Sequence, residues 1–154
     1  MFHPTIANIM QLTLHTDYAL RVLIYLSLKP SEMVTIDEIT DYYGVSRNHL
    51  VKVVHHLATQ GFIKTTRGKN GGMQLADKPE KITIGSVVRK MEANFDIVEC
   101  FNDKNARCNV VPICNLKSVL QKASANFLSY LDQFSIADAV DADKQAGIVI
   151  PFIK

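Results

Sequence analysis

Apolar residues return every three or four positions through several stretches of this chain, the spacing of a helix with one buried face. Ala19, Leu20, Leu23 and Leu26 fall in this way and predict a helix from Asp17 to about Lys29, capped by Thr16 and stopped by Pro30. Thr35-Ile36-Asp37-Glu38 then reads as a capping box, in which a hydroxyl and a carboxylate satisfy the unpaired N–H groups of a helix start reciprocally. The short helix it opens ends at Gly44, a residue suited to the left-handed cap. Ser46 caps a third predicted helix over 47–60, ending at Gly61, whose Leu50, Val53, Val54 and Leu57 share one face. Two helices joined by the tight Gly44-Val45-Ser46 turn are the signature of a helix-turn-helix.

The helical spacing then gives way to a hairpin. Phe62-Ile63-Lys64-Thr65-Thr66 reads as a strand and Met73-Gln74-Leu75 as its partner, with Arg67-Gly68-Lys69-Asn70-Gly71-Gly72 as the tip. Two cations on a glycine-rich tip are what a wing needs to reach phosphate or the minor groove. The nucleotide-cradling spacings G-x-x-x-x-G-K-[ST] and G-x-G-x-x-G are absent. Thr83 caps a predicted helix over 84–93, an irregular stretch runs from Asn94 to Cys114, and Asn115 caps a long helix to Phe134. That helix carries Leu116, Val119, Leu120, Ala123, Phe127, Leu131 and Phe134 at spacings of three and four, a stripe read as a dimer interface. Ser135 is expected to start a final short helix, residues 1–10 to form a loose extension, and the apolar tail 147–154 carries no reading. The fold class expected is mainly α: a winged helix-turn-helix DNA-binding domain over 10–80, a cluster-binding loop and dimerisation helix over 81–140, and a tail over 141–154.

Charge sharpens this picture. The 154 residues carry a net charge of only +2, too little to imply nucleic acid, but no acidic residue occurs between Asp41 and Asp77. That stretch holds Arg47, Lys52, Lys64, Arg67 and Lys69 with His49, His55 and His56, the footprint of a polyanion site. Ser46, Arg47, Asn48, His49, Lys52, Arg67, Lys69 and Asn70 are the expected contacts to double-stranded DNA, with no acid near the reading positions. At 47% apolar residues the chain can bury a core, and no apolar run approaches the ~20 residues that span a bilayer. Its start has no basic segment followed by a long apolar run, so a cytoplasmic protein without a membrane partner is expected. An enzyme is not: no catalytic-triad spacing occurs, and the adjacent His55 and His56 turn to different faces.

Cys100, Cys108 and Cys114 stand as C-x7-C-x5-C among Asn, Asp, Lys and Pro in the irregular stretch. An odd count argues against a disulfide framework, and thiols in such a loop oxidise unless occupied. Zinc ligands pair at shorter gaps, whereas the larger reach of an iron–sulfur cluster suits these. The spacing therefore favours an iron–sulfur cluster and leaves zinc or free thiols open. Three thiolates leave one position for a non-cysteine ligand.

Four separated motifs then resemble one family closely. They are Gln11-Leu12-Thr13 through Thr16-Asp17-Tyr18-Ala19-Leu20-Arg21, Tyr43-Gly44-Val45-Ser46-Arg47-Asn48-His49-Leu50, Arg67-Gly68-Lys69-Asn70-Gly71-Gly72, and the three cysteines. Across about residues 10–140 the chain resembles the nitric-oxide-sensitive repressors of the Rrf-type iron–sulfur winged-helix family. The resemblance implies a homodimer on an inverted-repeat operator, with one cluster per subunit, 2Fe-2S or 4Fe-4S, and nitric oxide as the releasing signal. It implies Cys100, Cys108 and Cys114 as cluster thiolates and Asp17, from the other subunit, as the fourth ligand. Arg21, one helical turn after Asp17, is its expected ion-pair partner and cluster-coupling residue. The seven-residue gap between the first two cysteines is longer than in many relatives, which leaves the cluster type open. The readings that compete are a regulator of iron–sulfur assembly with the same fold and a zinc-bound DNA-binding protein.

Overall fold

The computed structural model describes residues 11–101, 108–109 and 113–140. In it α1 spans Leu14–Ser27, α2 Ile36–Tyr43 and α3 Arg47–Thr59, followed by β1 (Ile63–Thr66), β2 (Gly72–Leu75), α4 (Ile84–Met91) and α5 (Asn115–Leu131). Single 3-10 turns lie at Pro79–Lys81 and Glu99–Phe101. This is a winged helix-turn-helix followed by a long helix, the mainly α architecture that the spacing predicts.

The helix boundaries follow from which polar side chain reaches which N–H. Thr13, not Thr16, caps α1: its hydroxyl accepts from the Thr16 N–H at 3.3 Å, and Thr16 itself is fully buried in the first turn. Two threonines three residues apart offer rival caps, and burial of Thr16 selects the earlier start. The helix also stops sooner than Lys29, at Ser27 with Leu28 as its cap. Thr35 caps α2 as expected, accepting from the Glu38 N–H at 3.2 Å. The Glu38 carboxylate, however, is claimed chiefly by Lys29 and by Tyr25, whose hydroxyl donates to it at 2.8 Å. Those partners, Lys29 foremost, hold the carboxyl below its ordinary range against the opposing effect of burial. Gly44 takes the left-handed conformation (φ 62°) that ends α2 and lets the chain turn into α3.

The core lies where these helices meet. Ala19, Val22, Leu23 and Leu26 of α1 pack with Ile39 of α2 and with Leu50, Val53, Val54 and Leu57 of α3. Ile63, Met73, Ile82, Val87, Met91 and Ile136 belong to the same cluster, so α4 packs against the reading domain. The wing is an antiparallel pair with Ile63 opposite Leu75 and Thr66 opposite Gly72. Its base is pinned by Val34, which exchanges hydrogen bonds with Met73 at 3.0 and 2.7 Å. Gly72 passes so close that a Cβ there would stand 2.7 Å from the Val34 carbonyl oxygen.

No residue of α5 is buried. Leu116, Val119, Phe127 and Phe134 of the predicted stripe are exposed, Leu120 and Leu131 are half-buried, and Tyr130 joins the exposed set at 60%. Cys114, rather than Asn115, occupies the cap position and makes no side-chain cap bond; the helix ends at Leu131, short of Phe134. Its C-terminal end is anchored to α4. Arg89 grips Asp132 with both arms, one at 2.7 Å. A Cβ on Gly85 would stand 2.8 Å from the Asp132 backbone N. Beyond it Ile84 N–H donates to the Phe134 carbonyl at 2.8 Å, and Ile136 is fully buried. Ser135 opens a turn closed by its bonds to Asp138, not a helix, among the described residues. Residues 1–10 and 141–154, with the expected extension and tail, lie outside the described residues.

Candidate nucleic-acid interface and cysteine loop

Burial of Leu50, Val53, Val54 and Leu57 fixes the rotation of α3 and turns its other face outward. Ser46, Arg47, Asn48, His49 and Lys52 are all exposed there, at the N-terminal end where orphan N–H groups add positive potential. Ser46 stands at the cap position but makes no side-chain cap bond. The expectation that no acid lies near these positions is corrected by the fold. Asp37, ten residues upstream on α2, pairs with Arg47 at 2.6 Å across the turn.

Arg67, Lys69 and Asn70 are exposed at the tip of the wing. Gly68 adopts φ 111°, and its carbonyl accepts from the Gly71 N–H at 2.9 Å to close the tip. Only glycine fits at 71, where a Cβ would stand 2.3 Å from the Thr66 carbonyl oxygen. The tip is therefore a tight loop that presents its two cations on a base fixed to the core.

The first helix carries the other predicted residues. Asp17 Oδ2 and Arg21 Nη2 are 2.8 Å apart, the i to i+4 pair expected. The Arg21 guanidinium also lies 5.9 Å from the Tyr18 ring centre and 5.8 Å from that of Tyr43. Tyr43, the last residue of α2, donates its hydroxyl hydrogen to the Arg21 carbonyl at 3.1 Å, and burial pushes its phenol up to about 12. Arg21 thus touches the helix that ends at the reading turn.

A link between α1 and α3 was not legible in the sequence. His15 Nε2 and His56 Nδ1 meet at 2.9 Å, 41 residues apart, so one ring donates its N–H to the other's lone pair. His55 is exposed, so the adjacent pair does turn apart. Burial first, and then His56, lowers the proton affinity of His15, while Glu92 acts in the opposite sense. Glu92 also accepts from the Thr13 N–H at 2.7 Å, tying the end of α4 to the start of α1.

The three cysteines are free thiols: Cys100 in the 3-10 turn and Cys114 at the start of α5 are half-buried, and Cys108 is exposed. None forms part of the core. Three unpaired thiols are a donor set that suits an iron–sulfur cluster. Among the described residues, however, no three His, Cys, Asp or Glu side chains are gathered for a metal, so the fold does not bring these thiols and Asp17 together within one chain. Stretches 102–107 and 110–112, between the thiols, lie outside the described residues. Also among the described residues, no helix is long and apolar enough to cross a membrane.

An exposed, donor-rich second helix in a helix-turn-helix, flanked by a basic wing, defines a DNA-binding transcription regulator. The chain belongs to the Rrf2 family, whose model, described as an iron-dependent transcriptional regulator, matches residues 12–142. It is 48% identical over 132 residues to the HTH-type transcriptional regulator NsrR of Bacillus licheniformis, covering 85% of this chain and 92% of that one. With NsrR of Bacillus subtilis it shares 46% over 132 residues, 85% and 90% of the two chains. Its relatives are regulators, and it is a regulator rather than an enzyme. The fold is shared with T. potens IscR (TM-score 0.71, 21% identity, 93% and 95% covered) and with CymR, the global cysteine regulator of B. subtilis (TM-score 0.71, 22%, 87% and 98%).

Proposed function

We propose that the chain is a repressor that binds an inverted-repeat operator as a homodimer holding one iron–sulfur cluster per subunit, and leaves the DNA when nitric oxide attacks the cluster. The observation that carries this reading is the position of Cys114. The cysteine stretch opens directly into α5, whose apolar face is exposed and without a cover among the described residues, and would fit a second copy of itself. Residues 10–80 would then read DNA while 81–140 hold the cluster and the partner.

Cys100, Cys108 and Cys114 would hold the cluster, with Asp17 of the partner subunit as fourth ligand. Bound there, it supplies iron that reacts with nitric oxide. The rest is the chain's own work. Asp17 now neutralises Arg21. A carboxylate engaged elsewhere frees Arg21, whose guanidinium lies against the Tyr43 ring at the end of α2. Because a dimer reads half-sites ~34–36 Å apart, small changes at that turn cost affinity.

The test is an anaerobic nitric oxide titration followed by absorbance and, in parallel, by DNA binding. Loss of cluster absorbance and loss of operator affinity at the same nitric oxide equivalents are expected. Colourless, zinc-containing protein that binds DNA regardless of nitric oxide would overturn the reading.

The wing gives a separate expectation. Neutralising Arg67 and Lys69 together should weaken binding to every duplex and lower the slope of log K against log salt by about one per lost phosphate contact. An unchanged slope with loss confined to one sequence would remove the wing from the phosphates.

A further inference from the structure

The helix-turn-helix brings to the reading head an acid that the sequence places ten residues away. Asp37 lies in the first turn of α2, and its Oδ1 accepts a hydrogen bond from Arg47 Nε at 2.6 Å. Both side chains are more than half exposed, at 68% and 59%, and an ion pair so exposed contributes little to stability. Its geometry is more telling. The contact uses Nε, and the guanidinium makes no other hydrogen bond among the described residues. A guanidinium carries five donors in one rigid plane, so a bond to Nε restricts where that plane can point and leaves the two Nη groups as a parallel pair. That pair matches O6 and N7 of guanine in the major groove. Arg47 is also the first residue of α3, where a recognition helix meets base edges.

We infer that Asp37 is a specificity-determining residue: it holds the Arg47 guanidinium by Nε so that its Nη edge pairs with one guanine in each half-site. The inference rests on α3 being the DNA-reading helix. Two effects follow from the one contact. A held arginine loses the rotamers that would let it wander to a phosphate, a contact that carries no sequence information. The carboxylate also cancels the charge that would otherwise strengthen binding to any duplex. Asp37 therefore trades general affinity for discrimination.

The experiment uses anaerobically purified full-length protein and duplexes randomised over a 30-base-pair window. Wild type, D37A, D37N, R47A and D37A/R47A each select from the pool. Affinities are then measured for the wild-type winner, for that duplex with single guanines replaced, and for a scrambled duplex, over a range of salt. R47A is expected to lose the preference for one guanine per half-site. D37A should discriminate at that same position roughly tenfold less well. D37A should also bind the scrambled duplex more tightly, with a salt slope steeper by about one. D37N, which keeps an acceptor oxygen without the charge and spares the helix start, should fall between. In the R47A background D37A should leave discrimination unchanged.

Wild-type discrimination by both D37A and D37N would overturn the inference. So would uniform weakening on every duplex with a lowered melting temperature, which would make Asp37 only an acid at a helix N-terminus. Unchanged guanine preference in R47A would overturn it through Arg47 while leaving α3 as the reader. Failure of the wild type to enrich any sequence would instead remove the DNA-reading function beneath it.

Discussion

V119D is expected to convert the proposed dimer to a monomer and to lower affinity for a two-half-site duplex by a factor on the order of 10²–10⁴, the loss that follows when linked binding events become separate. Val119 sits in the exposed stripe of α5 at 53% accessibility, with Leu116 before it and Phe127 two turns after. No α5 residue is buried and Val119 is not part of the core cluster, so the substitution leaves the packing of the described residues intact. In a dimer the same carboxylate would be buried without a partner charge, which is strongly destabilising. Sedimentation and DNA titration on the same samples give both readouts. Q121D, an exposed polar position away from the stripe, should remain dimeric and bind normally. A dimeric V119D protein with wild-type affinity would show that α5 does not form the interface.

The second large effect belongs to the thiols. C100A, C108A and C114A should each lose nearly all bound iron and the associated absorbance after anaerobic purification. Their apo-proteins should keep wild-type stability to within about 0.5 kcal/mol, since none of the three side chains belongs to the core. C114A tests this most strictly: Cys114 caps α5 without a side-chain bond, so its loss leaves the helix start intact. Iron analysis with thermal melts of the stripped proteins separates ligand loss from unfolding. Full iron content in C108A would be incompatible with three-thiolate ligation.

What the sequence made legible was local. Gly44, the Thr35 cap and the Leu50–Leu57 face are each decided within one or two turns of chain, and the helix-turn-helix appears where they place it. The start of α1 was misplaced by three residues because Thr13 and Thr16 are equivalent as caps until one of them is buried. The acid beside Arg47 is hidden in the sequence for a different reason: a stretch without carboxylates in sequence is not one in space once a turn folds Asp37 back. His15 and His56 meet only because α1 lies across α3, and Tyr130 joins the α5 face although its hydroxyl disguises it among polar neighbours. The pair Asp17–Arg21, one turn apart on a single helix, was readable directly. Cys100, Cys108 and Cys114 could be picked out by type and spacing, but neither periodicity nor capping dictates how the segments between them run.

The anchoring of α5 at one end makes it a lever. Arg89, Gly85 and Ile136 fix its C-terminal end to the body of the reading domain, while its other end begins at Cys114. Its 17 residues form a rod about 25 Å long at 1.5 Å per residue. A pivot of about 5° at the Asp132 end would carry the Cys114 end through roughly 2 Å on a rod of that length. Read in the other direction, a displacement of one bond length where the cysteines lie becomes a rotation of a few degrees delivered at the joint with α4. Stiffness at that joint, rather than flexibility, is what would make a chemical event at the thiols mechanically audible at the DNA, and a side chain at position 85 would deaden it.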